Sequence, residues 1–135
     1  EKFEKKDKYL SDEIINEIPK LRKFINNQEL NSYIKQVIQF SFNANKYLND
    51  EQPWSLKKNN PKRMNIVLYN ILNQIKSISI LLSPIMPDST NKVLDVLGVE
   101  KKERNLKSIE NFHSLKSGVN LKKIDILFKK IENDN

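Results

Sequence analysis

Residues 60–82 read NPKRMNIVLYNILNQIKSISILL, and this stretch decides the fold class. Asn60 followed by Pro61 has the form of a helix N-cap with proline at the first helical position, where its missing N–H is no loss. Met64, Leu68, Ile71, Ile75, Ile78 and Leu82 then recur at alternating spacings of four and three, which places them on one stripe of an α-helix. The segment therefore predicts a helix from Asn60 to about Leu82, with Asn65, Tyr69, Asn73 and Lys76 off its stripe.

Upstream, Leu30, Ile34, Val37, Ser41, Ala44 and Leu48 repeat the same four-three spacing. They predict a second helix from about Leu30 to Leu48 that packs antiparallel beside the first. Ser41 and Ala44 let a neighbouring helix approach closely, and Tyr33, Phe40 and Tyr47 widen the apolar stripe. Core packing is the expectation for Tyr33 and Phe40. Further upstream, Ser11 followed by Asp12 and Glu13 has the look of an N-cap with acids in the first turn. Ile14, Ile15, Ile18, Leu21 and Ile25 extend that helix to about Asn27. Pro19 lies in its middle, so either one kinked helix or two short ones is expected. Residues 1–10 carry mixed charge and are read as a leader or the remnant of a preceding helix, with no role.

Downstream, Pro84 and Pro87 bracket a tight apolar corner. Asp88, Ser89 and Thr90 stand where a short helix over about Pro87 to Leu97 is capped. Gly98 is the expected left-handed residue past its end. From Glu100 to Asn120 the apolar spacing weakens, predicting an irregular return with one helical turn. Leu121, Ile124, Ile126, Leu127, Phe128 and Ile131 form an apolar cluster that folds back across the bundle, and residues 133–135 are a tail. The whole reads as all-α: an antiparallel bundle of four to five helices, one domain over residues 11–132.

Composition narrows the function. Across 135 residues there is no Cys and a single His, so a disulfide framework and a thiolate or polyhistidine metal site are excluded. The lone His113 is read as a surface residue. No apolar run approaches the ~20 residues of a membrane span, and the charged N-terminus is unlike a signal peptide; a soluble, cytoplasmic protein is expected. The net charge of +7 comes from 24 Lys plus Arg against 17 Asp plus Glu. It makes a polyanion a plausible partner, although a coding bias toward Lys, Asn and Ile gives the same excess. The chain opens on Glu1 instead of Met, as a piece of a longer protein would.

The charge is also placed. After Glu51 no acid occurs until Asp88, while Lys57, Lys58, Lys62, Arg63 and Lys76 fall between. In this basic segment, read as a loop from Asn49 to Asn60, stands the chain's one Trp, Trp54, preceded by Pro53. Two readings of Trp54 are open. Folded inward, it plugs the end of the bundle; facing outward, it is a stacking platform for a base. For the second reading, Asn45 and Asn49 supply amides able to read base edges, and Lys46, Lys57, Lys58, Lys62 and Arg63 supply phosphate attraction. Such a set suits a single-stranded RNA loop better than a duplex. No catalytic constellation accompanies it: there is no Gly-rich phosphate loop, no Cys, no His pair and no Ser with a base at hand. Asp50 and Glu51, the one acid pair in an interesting place, read as solvated. Binding is expected of this chain, not reaction.

Four blocks carry a family resemblance: Ala44-Asn45-Lys46-Tyr47-Leu48 with Pro53-Trp54, then Leu82 through Thr90, then Leu97-Gly98-Val99, and finally Leu127 through Glu132. In order and separation they resemble the C-terminal region of bacterial methionyl-tRNA synthetases over residues 10–132. The last block departs in one place, with Lys130 where family members commonly carry Arg. The resemblance implies a class I synthetase anticodon-binding domain that recognises the CAU anticodon of methionine tRNAs. It implies that Trp54 stacks on the first anticodon base, cytosine, with Pro53 holding the loop. Some members contribute an acid five residues before the Trp; here that position is Asn49, whose amide oxygen is the available acceptor. The family's other anticodon readers, two Asn and an Arg on an earlier helix, find no match in residues 1–10. The ATP-binding signatures are absent as well. The implied parent is thus an ATP-dependent methionine–tRNA ligase whose catalytic domain, outside this chain, binds ATP and methionine; this piece has no catalytic residues, cofactor or metal. Its expected partners are the anticodon loop of methionine tRNA and that catalytic domain, and no membrane. The alternative is a non-catalytic helical module whose basic face docks a protein or a membrane surface.

Overall fold

The computed structural model describes residues 3–111. These form α1 (Lys5–Asn26), α2 (Leu30–Glu51), α3 (Pro53–Asn59), α4 (Pro61–Leu82) and α5 (Pro87–Val96), then a 3₁₀ turn (Lys101–Glu103) and a single-turn α6 (Leu106–Ile109). Among the described residues there is no strand. The all-α bundle is as expected, and three of its helices are 22 residues long.

Helix α1 starts earlier than the apolar spacing indicated. It is capped at Glu4, whose backbone N–H donates to Asp7 Oδ2 at 2.7 Å. Its buried stripe is Leu10, Ile14, Ile18 and Leu21, with Asp7 buried one turn before Leu10. The boundary drawn at residue 10 is therefore not a structural break: residues 5–10 are the first turns of the bundle. Ser11 is no cap; it lies inside the helix and its hydroxyl donates to the Lys8 carbonyl at 2.9 Å. Pro19 sits on the exposed face and the helix runs through it unbroken.

On α2 the buried side chains are Tyr33, Val37, Phe40 and Tyr47. The aromatics are the centre of the stripe and not its margin, because a large ring buries more apolar area than Ser41 or Ala44 can. Leu30, expected in the seam, is 54% exposed. Tyr33 is anchored by its hydroxyl, which donates to the Leu81 carbonyl at 2.5 Å; burial raises its pKa to about 12.

Helix α4 is the axis of the bundle, packed against α1, α2, α3, α5 and α6. Beyond Asn65 it has no exposed residue, and there the single-stripe pattern that defines a surface helix fails. Asn70, Asn73, Gln74, Lys76 and Ser77 are buried beside Val67, Ile71, Ile80 and Leu81, which corrects the placing of Asn73 and Lys76 off the packed side. Asn73 Nδ2 satisfies the Tyr69 carbonyl at 2.9 Å, and Asn70 Nδ2 donates to the Asp7 carbonyl at 3.0 Å. The N-cap stands as expected: Asn60 Oδ1 accepts the Arg63 backbone N–H at 3.1 Å.

Gly98 takes φ +71° after α5. The Val99 N–H reaches the Leu94 carbonyl at 3.0 Å and the Gly98 N–H the Asp95 carbonyl at 3.1 Å, the two bonds of a Schellman stop. Arg104 then ties the following turn back, donating to the Val99 carbonyl at 2.7 Å and to Asp95 Oδ1 at 2.5 Å. His113, the apolar cluster at 121–131 and the motif at 127–132 lie outside the described residues.

Candidate nucleic-acid interface

The stretch between α2 and α4 is not a loop. Helix α2 runs on through Glu51, Gln52 turns the chain at φ 45° and ψ 62°, and Pro53 opens α3 at its first helical position. Proline suits that position because its φ is already helical and no N–H is needed there. A non-glycine residue in left-handed geometry costs about 1–2 kcal/mol, so the turn at Gln52 must be held by its surroundings. Its N–H caps the Leu48 carbonyl at 3.0 Å, and its own carbonyl accepts from the Ser55 N–H at 2.9 Å and hydroxyl at 2.8 Å. Pro53 is buried, and Trp54, the next residue, is 61% exposed. Trp54 thus faces outward and does not plug the end of the bundle.

The other expected site residues divide between surface and interior. Asn45, Lys46 and Asn49 are exposed on the last turns of α2, Lys57 and Lys58 on α3, and Lys62 in the first turn of α4, where the helix's N–H groups add to the positive potential. Arg63 does not join them. Its guanidinium is buried in an ion cluster that binds Asp7 through Nη1 at 2.7 Å and Nη2 at 2.8 Å, and Glu51 through Nη2 at 2.9 Å. It is therefore removed from the phosphate-contacting set, because its hydrogen bonds are spent on two carboxylates away from solvent. Tyr47 Oη donates to Asp7 at 2.5 Å, and Lys6 Nζ reaches Glu51 at 2.7 Å.

The titrations follow from this geometry. Burial pushes the Asp7 carboxyl up, but the Arg63 guanidinium, the Tyr47 hydroxyl and the Glu4 N–H together hold it below the usual range. Glu51 is likewise pushed up by burial and drawn below normal by Lys6 and Arg63. Arg63 is raised by its bonds to Asp7, against the opposing effect of burial. Glu51, half of the acid pair read as solvated, is thus internal to the cluster, while Asp50 is exposed. Sequence reasoning missed Asp7 entirely. The available signal was its register: Asp7 precedes Leu10 by three positions, in phase with the stripe that continues to Ile14.

Beside the cluster, α1 and α2 enclose a cleft of about 550 Å³ lined by Lys5, Lys6, Tyr9, Asn43, Lys46 and Asp50 among others. It adds two lysines and a 60%-exposed tyrosine to the same end of the bundle as Trp54.

All 135 residues match the family model described as the anticodon binding domain of methionyl tRNA ligase. The chain belongs to that family. The anticodon-binding domain is 40% identical over 106 residues to the methionine–tRNA ligase of Rickettsia felis, covering 78% of this chain and 21% of that protein. To the methionine–tRNA ligase of Rickettsia prowazekii it is 41% identical over 102 residues, covering 76% and 20%. The chain thus spans about a fifth of the length of these relatives. In three dimensions it resembles the crystal structure of free Mycobacterium tuberculosis methionyl-tRNA synthetase, with a TM-score of 0.76 and 25% identity over 81% of this chain and 23% of that one. The family match supports the RNA-binding reading over a module that docks a protein or membrane. No helix among the described residues is long and apolar enough to cross a membrane.

Proposed function

We propose that this domain reads the CAU anticodon of methionine tRNA for a cytoplasmic methionine–tRNA ligase, whose separate catalytic domain binds ATP and methionine and joins the amino acid to the tRNA. The observation that carries the reading is the 61% exposure of Trp54 directly after a buried Pro53. An indole held open to water at a defined angle is available to stack on an unpaired base, which contributes about 1–3 kcal/mol. In this reading the first anticodon base, cytosine, lies on Trp54, and Pro53 fixes the backbone beneath it. Asn45 and Asn49 present amides to base edges. Lys46, Lys57, Lys58 and Lys62 attract the phosphates without regard to sequence.

The test is a binding titration of Trp54→Ala against methionine tRNA and a tRNA whose first anticodon base is changed from C to U. Loss of one stacked base predicts an affinity for the cognate tRNA lower by ~5- to 150-fold, an equalised preference between C and U, and unchanged helicity. Retained cytosine preference in a folded Trp54→Ala protein refutes the assignment.

A further inference from the structure

We propose that Asp7, Arg63 and Glu51 act as positioning residues for base recognition: together they clamp both ends of α3 and so set the direction in which Trp54 is presented. The proposal rests on the anticodon reading above for its consequence, but not for its geometry.

Helix α3 has seven residues, too few to hold a helical axis by its own hydrogen bonds. Its orientation has to be imposed from outside, by its packing on α4 and by the contacts at its two ends, and Arg63 reaches both ends. Through its backbone N–H, 3.1 Å from Asn60 Oδ1, Arg63 fixes the residue that closes α3, and the Asn60 N–H in turn caps the Leu56 carbonyl at 2.8 Å. Through its side chain, Arg63 grips Glu51 with Nη2 at 2.9 Å and Nε at 3.3 Å. Glu51 is the last residue of α2, adjacent to the left-handed Gln52 and three residues before Trp54.

The grip is rigid because Arg63 is itself immobilised. Asp7 takes two of its N–H groups in fork-to-fork geometry, the arrangement that fixes the plane of a guanidinium and not merely its distance. Asp7 is held in turn by Tyr47 Oη and the Glu4 N–H. Three helices, α1, α2 and α4, are thereby pinned at one point next to the hinge. Lys6 adds a second cation to Glu51 from α1. A buried ionic cluster gains little net stability over well-packed apolar residues. What it supplies is direction, and the element whose direction it sets carries the exposed indole.

The experiment uses Glu51→Gln in the 135-residue chain, where Trp54 is the only tryptophan and its fluorescence reports α3 alone. Arg63 keeps its bidentate bond to Asp7 in this variant, so the bundle stays folded and helical by circular dichroism. Tyr33→Phe, which removes the bond to the Leu81 carbonyl in the other half of the core, controls for loss of stability alone. The expected result has three parts: lower Trp54 anisotropy and altered acrylamide quenching in Glu51→Gln but not in Tyr33→Phe; a C-over-U preference reduced about 10-fold; and unchanged affinity for a non-cognate tRNA. Unchanged Trp54 fluorescence in folded Glu51→Gln overturns the clamp, with or without RNA. Altered fluorescence with full C-over-U preference, where Trp54→Ala does lose that preference, overturns the positioning role. If Trp54→Ala itself keeps the preference, the anticodon reading is what fails, and the fluorescence comparison still decides the clamp.

Discussion

Replacing Arg63 by Met keeps an unbranched side chain in place and takes the guanidinium out from between Asp7 and Glu51. The Asp7 side chain has no solvent exposure and that of Glu51 only 8%, so neither carboxylate regains water when its partner leaves. Removing one partner of such a buried group costs about 3–5 kcal/mol, a large part of the 5–15 kcal/mol that stabilises an ordinary domain. Urea unfolding followed by circular dichroism reads this as a lower midpoint at unchanged slope.

The pH dependence gives a sharper signature. In the native protein Asp7 and Glu51 have folded pKa values below their unfolded ones. Their stabilisation is present above the unfolded values near pH 4 and is lost as pH falls through the folded values. In Arg63→Met the guanidinium no longer counters burial, the largest influence on Asp7, and only the Tyr47 hydroxyl and the Glu4 N–H still do, so its folded pKa rises toward the unfolded one. The native protein therefore loses more stability in acid than the variant does, and the deficit of Arg63→Met, constant near neutrality, narrows as pH falls through and below about pH 4. Glu13, which burial raises in both proteins, drops out of the comparison. A loss under about 1 kcal/mol near neutrality, or a gap of constant size through that acid range, refutes the argument.

Three further outcomes follow from single features. Asn60→Ala removes the cap of α4 and is expected to destabilise by about 1 kcal/mol, measured by the same urea titration. Gly98→Ala meets no atom within 4 Å, so its cost is that of the left-handed backbone alone, about 1–2 kcal/mol; thermal unfolding checks it. Lys57→Gln, Lys58→Gln and Lys62→Gln together leave stability nearly unchanged, since all three are exposed. They reduce the slope of log affinity against log salt for tRNA by up to ~2–3, and an unaltered slope would remove these lysines from the interface.

Much of the bundle was legible from local rules. The start of α4 at Asn60-Pro61 and the stop at Gly98 were readable because caps depend on a few adjacent residues and their backbone geometry. Tyr33 and Phe40 were readable as core because large rings at helical spacing have few other places to go. Several of the misreadings share a cause: local pattern assumes that polar means exposed. That assumption hid the first turns of α1 behind Asp7, placed Asn73 and Lys76 off the packed side of α4, and put Arg63 among the phosphate contacts. Each of these residues is buried because other helices surround it.

By itself the sequence determined the helical class, most helix ends, and the presence of a Pro-Trp pair in an acid-free basic segment, since each of these follows from residue type and short-range spacing. Only the tertiary structure decided which way Trp54 faces and that Arg63 serves the interior. The physical reason is that Asp7, Glu51 and Arg63 lie 44 and 12 positions apart along the chain. Whether a cation there meets phosphate or carboxylate depends on which helices converge on it, and no local pattern encodes that.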